Sequence, residues 1–143
     1  MEQFPAQLAD MEEFICVAPA LLAPRIRHAA LKRLLQDWQA RSGDGKLPAR
    51  AQFRPEDLGY ILGNLILWDV QHAPLKATYR LYGSNFAVHR AGEMTGKTLD
   101  QLPDPVMREL SLHGLRRVLT ERRPLLTPGR YRLQDGITIA MGT

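Results

Sequence analysis

The 143 residues, 45% of them hydrophobic and 24% charged, suit one soluble globular domain with a modest core. No apolar run is long enough to span a membrane. The best, FICVAPALLA at 14–23, is broken by Pro19 and follows acidic Asp10, Glu12 and Glu13, so a cytoplasmic location is the default. The single cysteine, Cys16, excludes an internal disulfide and reads as a small buried hydrophobe.

Residues 1–23 hold four acidic side chains and no Lys or Arg, and prolines at 5 and 19 interrupt any long period, so this stretch reads as an acidic arm ahead of a domain over 24–143. That domain carries 19 basic against 11 acidic side chains. Its basic groups cluster at Arg25, Arg27, Lys32 and Arg33 and again at Arg116, Arg117, Arg122 and Arg123. Solvated helix faces explain both clusters; binding of nucleic acid or of an acidic partner is the alternative use.

From Pro24 the pattern turns helical. Leu31, Leu34, Leu35 and Trp38 recur at three- and four-residue spacing, which predicts a helix over 25–41 closed by Gly43. A loop leads to a short helix opened by Pro55 and to a turn at Gly63–Asn64. LILWDV at 65–70 and ATYRLYG at 77–83 then form an antiparallel hairpin through Pro74. With simple pairing, one face carries Ile66, Trp68, Val70, Ala77, Tyr79 and Leu81; the other carries Leu65, Leu67, Asp69, Thr78, Arg80 and Tyr82. Asp69 and Arg80 fall on one face as a structural ion pair.

Short helices fill 84–102, with Ser84 as N-cap of the first. Asp104 and Pro105 open a long helix that must stop before Pro124. GRYRLQDGITIAMGT reads as two strands around Asp135–Gly136, with the chain ending in the second.

TGKT at 95–98 invites comparison with a phosphate-binding loop, but that loop needs a glycine where Ala91 stands, and Pro103 leaves no room for a following helix. The wording fits something else. LPARAQFRPEDLGYILGNLILWDV, YRLYG and GEMTGKTLDQL together resemble a bacterial PAS-like family of small sensory proteins, over about residue 28 to the end. The resemblance implies an α+β fold: a PAS-like antiparallel sheet with short helices on one face, an N-terminal helix, and a core over 47–143 that stops short of the last strand. The open edge this leaves could be filled by the arm around FICV. It also implies a sensory or interaction module, without catalysis, that binds a small apolar ligand or a protein partner in bacterial signal transduction.

PAS domains that bind ligands do so between the sheet and its helices, which makes Trp68, Tyr79, His89 and His113 the ligand-binding candidates. Trp68 and Tyr79 compete with a plain packing role. His113 lies where haem-binding relatives place an axial ligand, but a lone histidine on a helix does not make a haem site, and cysteinyl-flavin chemistry needs a cysteine inside the domain, where Cys16 is not. The cofactor is thus unknown, with neither haem nor flavin expected. His28, His72, His89 and His113 are too scattered to form a metal site, and no catalytic constellation stands out. The apolar stripe of Leu31, Leu34, Leu35 and Trp38, set against an outer sheet face showing Leu65, Leu67 and Tyr82, points to a homodimer built on the N-terminal helix.

If TGKT is only a connection, Lys97→Ala should leave folding unchanged and remove no ATP or GTP binding. Isothermal titration checks this: micromolar nucleotide binding abolished by that change would restore the phosphate loop.

Overall fold

A computed structural model describes residues 14–43, 46–85, 93–128 and 136–142. Along the chain run β1 (Ile15–Cys16), α1 (Pro19–Leu22), α2 (Ala29–Arg41), β2 (Ile66–His72), β3 (Leu75–Tyr82), α3 (Pro105–Glu121), β4 (Leu125–Thr127) and β5 (Gly136–Thr138), joined partly by 3-10 turns. Two compact units result: Met1–Tyr60 with His113–Thr143, and Ile61–Leu112.

In the first unit the strands form an antiparallel sheet ordered β1-β4-β5. The described part of the acidic arm therefore belongs to a sheet: Ile15 pairs with Leu126 and Cys16 with Leu125. Cys16, Val118 and Leu125 form a buried cluster, flanked by Phe14 and Ala140. Cys16 thus sits inside the fold rather than ahead of it, and its burial, more than the nearby Glu121, pushes the thiol pKa up. The sequence pattern puts a strand just after Pro128; β4 in fact precedes that proline, and residues 129–135 lie outside the described ones.

The N-terminal helix begins later than its periodicity suggests. Pro24 sits in the 3-10 turn Ala23–Arg25, after which an extended link buries Ile26 and α2 starts at Ala29. It ends where the Ser42 amide and hydroxyl both donate to the Trp38 carbonyl. Leu34, Leu35 and Trp38 are buried within the chain, Leu31 is half-buried, and the Trp38 indole donates to the Ala140 carbonyl at 2.8 Å. The surface that a second copy was expected to cover is therefore largely covered here. The LPAR segment grips the far end of the chain, because Gly142 N–H donates to the Pro48 carbonyl and Arg50 N–H to the Gly142 carbonyl in a short parallel bridge.

In the second unit β2 and β3 pair antiparallel, with Trp68 opposite Tyr79, Asp69 opposite Thr78 and Val70 opposite Ala77, as simple pairing predicts. Beyond Trp68 the register slips by one, so that Leu67 faces Leu81 and Ile66 faces Tyr82. Arg80 is the extra residue of this bulge, which moves Tyr82 onto the face of Tyr79 and Leu81 off it. The Asp69–Arg80 ion pair forms at 3.2 Å with both side chains exposed, where it contributes little.

TGKT closes the free edge of β3. The Tyr79 amide donates to the Lys97 carbonyl and the Gly96 amide to the Tyr79 carbonyl, both at 2.8 Å, and Gly96 supplies the positive φ of the turn. Across the 3-10 turn Leu99–Gln101, Gln101 Oε1 accepts from the Thr98 amide at 2.9 Å while the Gln101 amide donates to the Thr98 carbonyl at 2.9 Å. Asp104 Oδ1 accepts from the Val106 amide to start α3 as expected. Of the predicted first helix in 84–102, Ser84 and Asn85 are helical; residues 86–92 lie outside the described ones.

Gly83 sets how closely the hairpin meets the turn at 62–64. Its amide donates to the Leu65 carbonyl at 2.8 Å, and a Cβ there would overlap the carbonyl oxygen of Gly63. Gly83→Ala should thus cost about 3 kcal/mol, measurable by urea unfolding. Gly43→Ala, with nothing within 4 Å of its Cβ, is the control and should change stability little.

Candidate functional site

The hairpin's alternation and its bulge bring three aromatic rings together. Tyr79 and Tyr82 meet edge-to-face at 5.2 Å between centroids, and the Trp68 ring lies 5.6 Å from Tyr79, tilted by 57°. Such contacts add about 0.5–1.5 kcal/mol each to the burial itself. Ala77 and Met94 are also buried in this unit. The trio is apolar in all but its tips, and one tip stands out. The Trp68 indole Nε1 is buried without a hydrogen-bonding partner among the described residues. An orphaned donor of this kind costs about 1–3 kcal/mol relative to a satisfied one.

The neighbouring Tyr79 phenol has a raised pKa, about 12, chiefly because burial disfavours its charged form. The Trp68 N–H opposes that shift without reaching the geometry of a hydrogen bond. Tyr79 is therefore a neutral, buried hydroxyl throughout the physiological range.

Of the four ligand candidates, Trp68 and Tyr79 come together on the hairpin. His113 belongs to the other unit, half-buried on α3, with its ring 5.7 Å from that of Phe14. His89 lies outside the described residues. No group of three or more metal-ligating side chains occurs among the described residues. Sequence alternation alone misses Tyr82 by putting it on the opposite face, because nothing in YRLYG announces the bulge; the glycine after it is at most a hint of irregular backbone.

A second polar constellation lies in the first unit, on α2. Arg41 donates to the Gln52 carbonyl at 2.9 Å, stands 3.6 Å from Asp57 and covers the Phe53 ring at 4.9 Å. One turn earlier, Asp37 accepts from the Tyr60 hydroxyl at 2.7 Å while Arg33 stacks on the Tyr60 ring at 4.0 Å. Burial, with Asp37 beside it, raises the Tyr60 pKa strongly. Every group here has a partner, so the cluster fastens α2 to the 50–60 segment and offers no site.

The model of the PAS domain family matches residues 26–141. The chain belongs to the PAS domain family. No curated protein and no solved structure gives a significant match. Membership makes this PAS domain a sensory or interaction module and accords with its α+β architecture of antiparallel strands and a few helices. It also explains the hairpin, TGKT and long-helix sequences together, since all fall inside the matched span. No helix among the described residues of the PAS domain is long and apolar enough to cross a membrane.

Tyr79 holds its proton more tightly folded than unfolded, where a tyrosine titrates near 10. Its contribution to stability is therefore complete below about pH 10 and lost as pH rises towards 12. Titration of tyrosine absorbance should show a step near pH 12 that Tyr79→Phe removes. Persistence of that step in the variant would move the raised group elsewhere.

Proposed function

We propose that the protein is a sensor of bacterial signal transduction, acting in the cytoplasm and without catalysis of its own. On this reading the aromatic inner face of β2–β3 takes a small, mainly apolar ligand that carries a hydrogen-bond acceptor. The observation behind this reading is the orphaned Trp68 N–H. A ligand oxygen or nitrogen accepting that proton would recover the cost of leaving it unpaired, while the rings of Tyr79 and Tyr82 supply the apolar surface. His113, beside Phe14, has no part in this ligand set, and haem is not invoked. A homodimer belongs to the reading, with its contact elsewhere than the buried stripe of Leu34, Leu35 and Trp38.

The nucleic-acid alternative has less support. Arg117 is engaged by Glu121 and by the Phe14 carbonyl, and Arg33 stacks on Tyr60, which removes one cation from each cluster. Phosphate-driven binding also falls steeply with salt, whereas burial of an apolar ligand does not.

Native mass spectrometry of freshly purified protein should reveal a bound small molecule, and Trp68→Phe should weaken its rebinding about tenfold, the worth of one hydrogen bond. A bare mass, together with no shift of Trp68 fluorescence across a panel of apolar ketones, esters and amides, would sink the ligand reading. Binding of a random oligonucleotide that declines linearly with salt on logarithmic axes would install the alternative.

A further inference from the structure

β4 is held on one side by β5 and on the other, among the described residues, by Ile15 and Cys16. Those two residues precede the span matched to the PAS family, which begins at residue 26. A segment outside the family's shared domain thus covers an edge that would otherwise present unpaired backbone groups.

The surface beneath this segment is shaped for it. Gly114 on α3 leaves a notch in which a Cβ would stand 3.2 Å from Leu125 Cδ2 and 3.8 Å from Phe14 Cε2. The Phe14 ring lies over this notch beside His113. Arg117, anchored by Glu121 at 2.7 Å, donates from Nη1 to the Phe14 carbonyl at 3.2 Å. Two positions on, the small Cys16 side chain fits between Val118 and Leu125, and its thiol points to the Arg123 carbonyl at 3.7 Å. An aromatic position, a carbonyl grip, a strand pairing and a small buried position make up a recognition site for an extended peptide.

We infer that the β4 edge, the Gly114 notch and Arg117 form a peptide-docking site for an aromatic–aliphatic–small segment, which the chain fills with its own Phe14–Cys16 and which the same segment of a second copy fills when that one withdraws. The second copy is the occupant because its arm matches every contact by construction. Val17 and Ala18 join the docked strand to Pro19 at the start of α1, so exchange between copies needs a change of backbone direction at these two residues alone.

A labelled peptide of residues 11–18, titrated into full-length chains, tests the site. The wild type should bind it weakly, because its own arm competes. Phe14→Ala should bind it at least tenfold more tightly, and adding Arg117→Met should lose about tenfold again. If Phe14→Ala does not fold, the peptide should restore its cooperative melt. Exchange is tested separately by refolding the wild type at high concentration and sedimenting it after dilution: slowly dissociating dimers are expected, and Phe14→Ala should abolish them. A Phe14→Ala chain that neither binds the peptide nor is rescued by it, or binding indifferent to the peptide's Phe, overturns the site. A wild type that stays monomeric after such refolding, or a dimer untouched by Phe14→Ala, overturns the second copy as occupant.

Discussion

The strands of this protein are short, and the constraint on which the rest depends is that their edges must still be paired. Backbone N–H and C=O groups left open on a buried edge cost as much as a lost hydrogen bond each. Short segments supply such pairing at three places. Gly96 and Lys97 close the edge of β3, Ile15 and Cys16 close β4, and Pro48 and Arg50 grip Gly142 beyond β5. Each of these segments is conspicuous in the sequence for some other reason: a phosphate-loop look-alike, an arm, a family lead-in. The first two finish ladders that the longer pairings leave incomplete, and the third is an isolated parallel bridge beyond β5.

The bulge at Arg80 links that backbone order to the candidate site. Without it Tyr82 would face away from Tyr79, and the inner face would carry Leu81 instead. With it, Tyr79 is flanked by two aromatic rings, and the one buried side-chain donor without a partner among the described residues belongs to the same group. Buried polar groups are as a rule hydrogen-bonded, which makes this donor an exception in the fold.

The α2 helix shows how contacts of unequal strength divide the work of holding one element. Arg41, Asp37, Arg33 and Tyr60 form an ordered polar network, yet half-exposed ion pairs and cation–ring contacts are worth only about 0.5–1 kcal/mol each. Burying Leu34, Leu35 and Trp38 yields about 1.5–3 kcal/mol per side chain. The apolar stripe therefore holds the helix, and the polar network fixes its register on the 50–60 segment. This is also why the stripe is a poor basis for dimerisation: its burial is already part of the chain's own stability.

The sequence by itself determined the elements whose signals are local. The Asp104 cap, the long helix ending short of Pro124, the hairpin and its pairing from Trp68 to Val70 follow from capping chemistry, proline geometry and alternation, and the PAS wording lies in contiguous motifs. Trp68 and Tyr79 were legible as a pair for the same reason, since both lie on the paired stretch of the hairpin. The tertiary structure alone decided the rest: that Tyr82 turns inward, that His113 packs on Phe14, that Trp38 reaches Ala140 and that β4 is the strand whose edge Ile15 and Cys16 cover. Those outcomes depend on contacts between residues distant in the chain, or on one extra residue in a ladder. Neither leaves a periodic trace, because the energy that settles them comes from the partner's surface rather than from the local sequence.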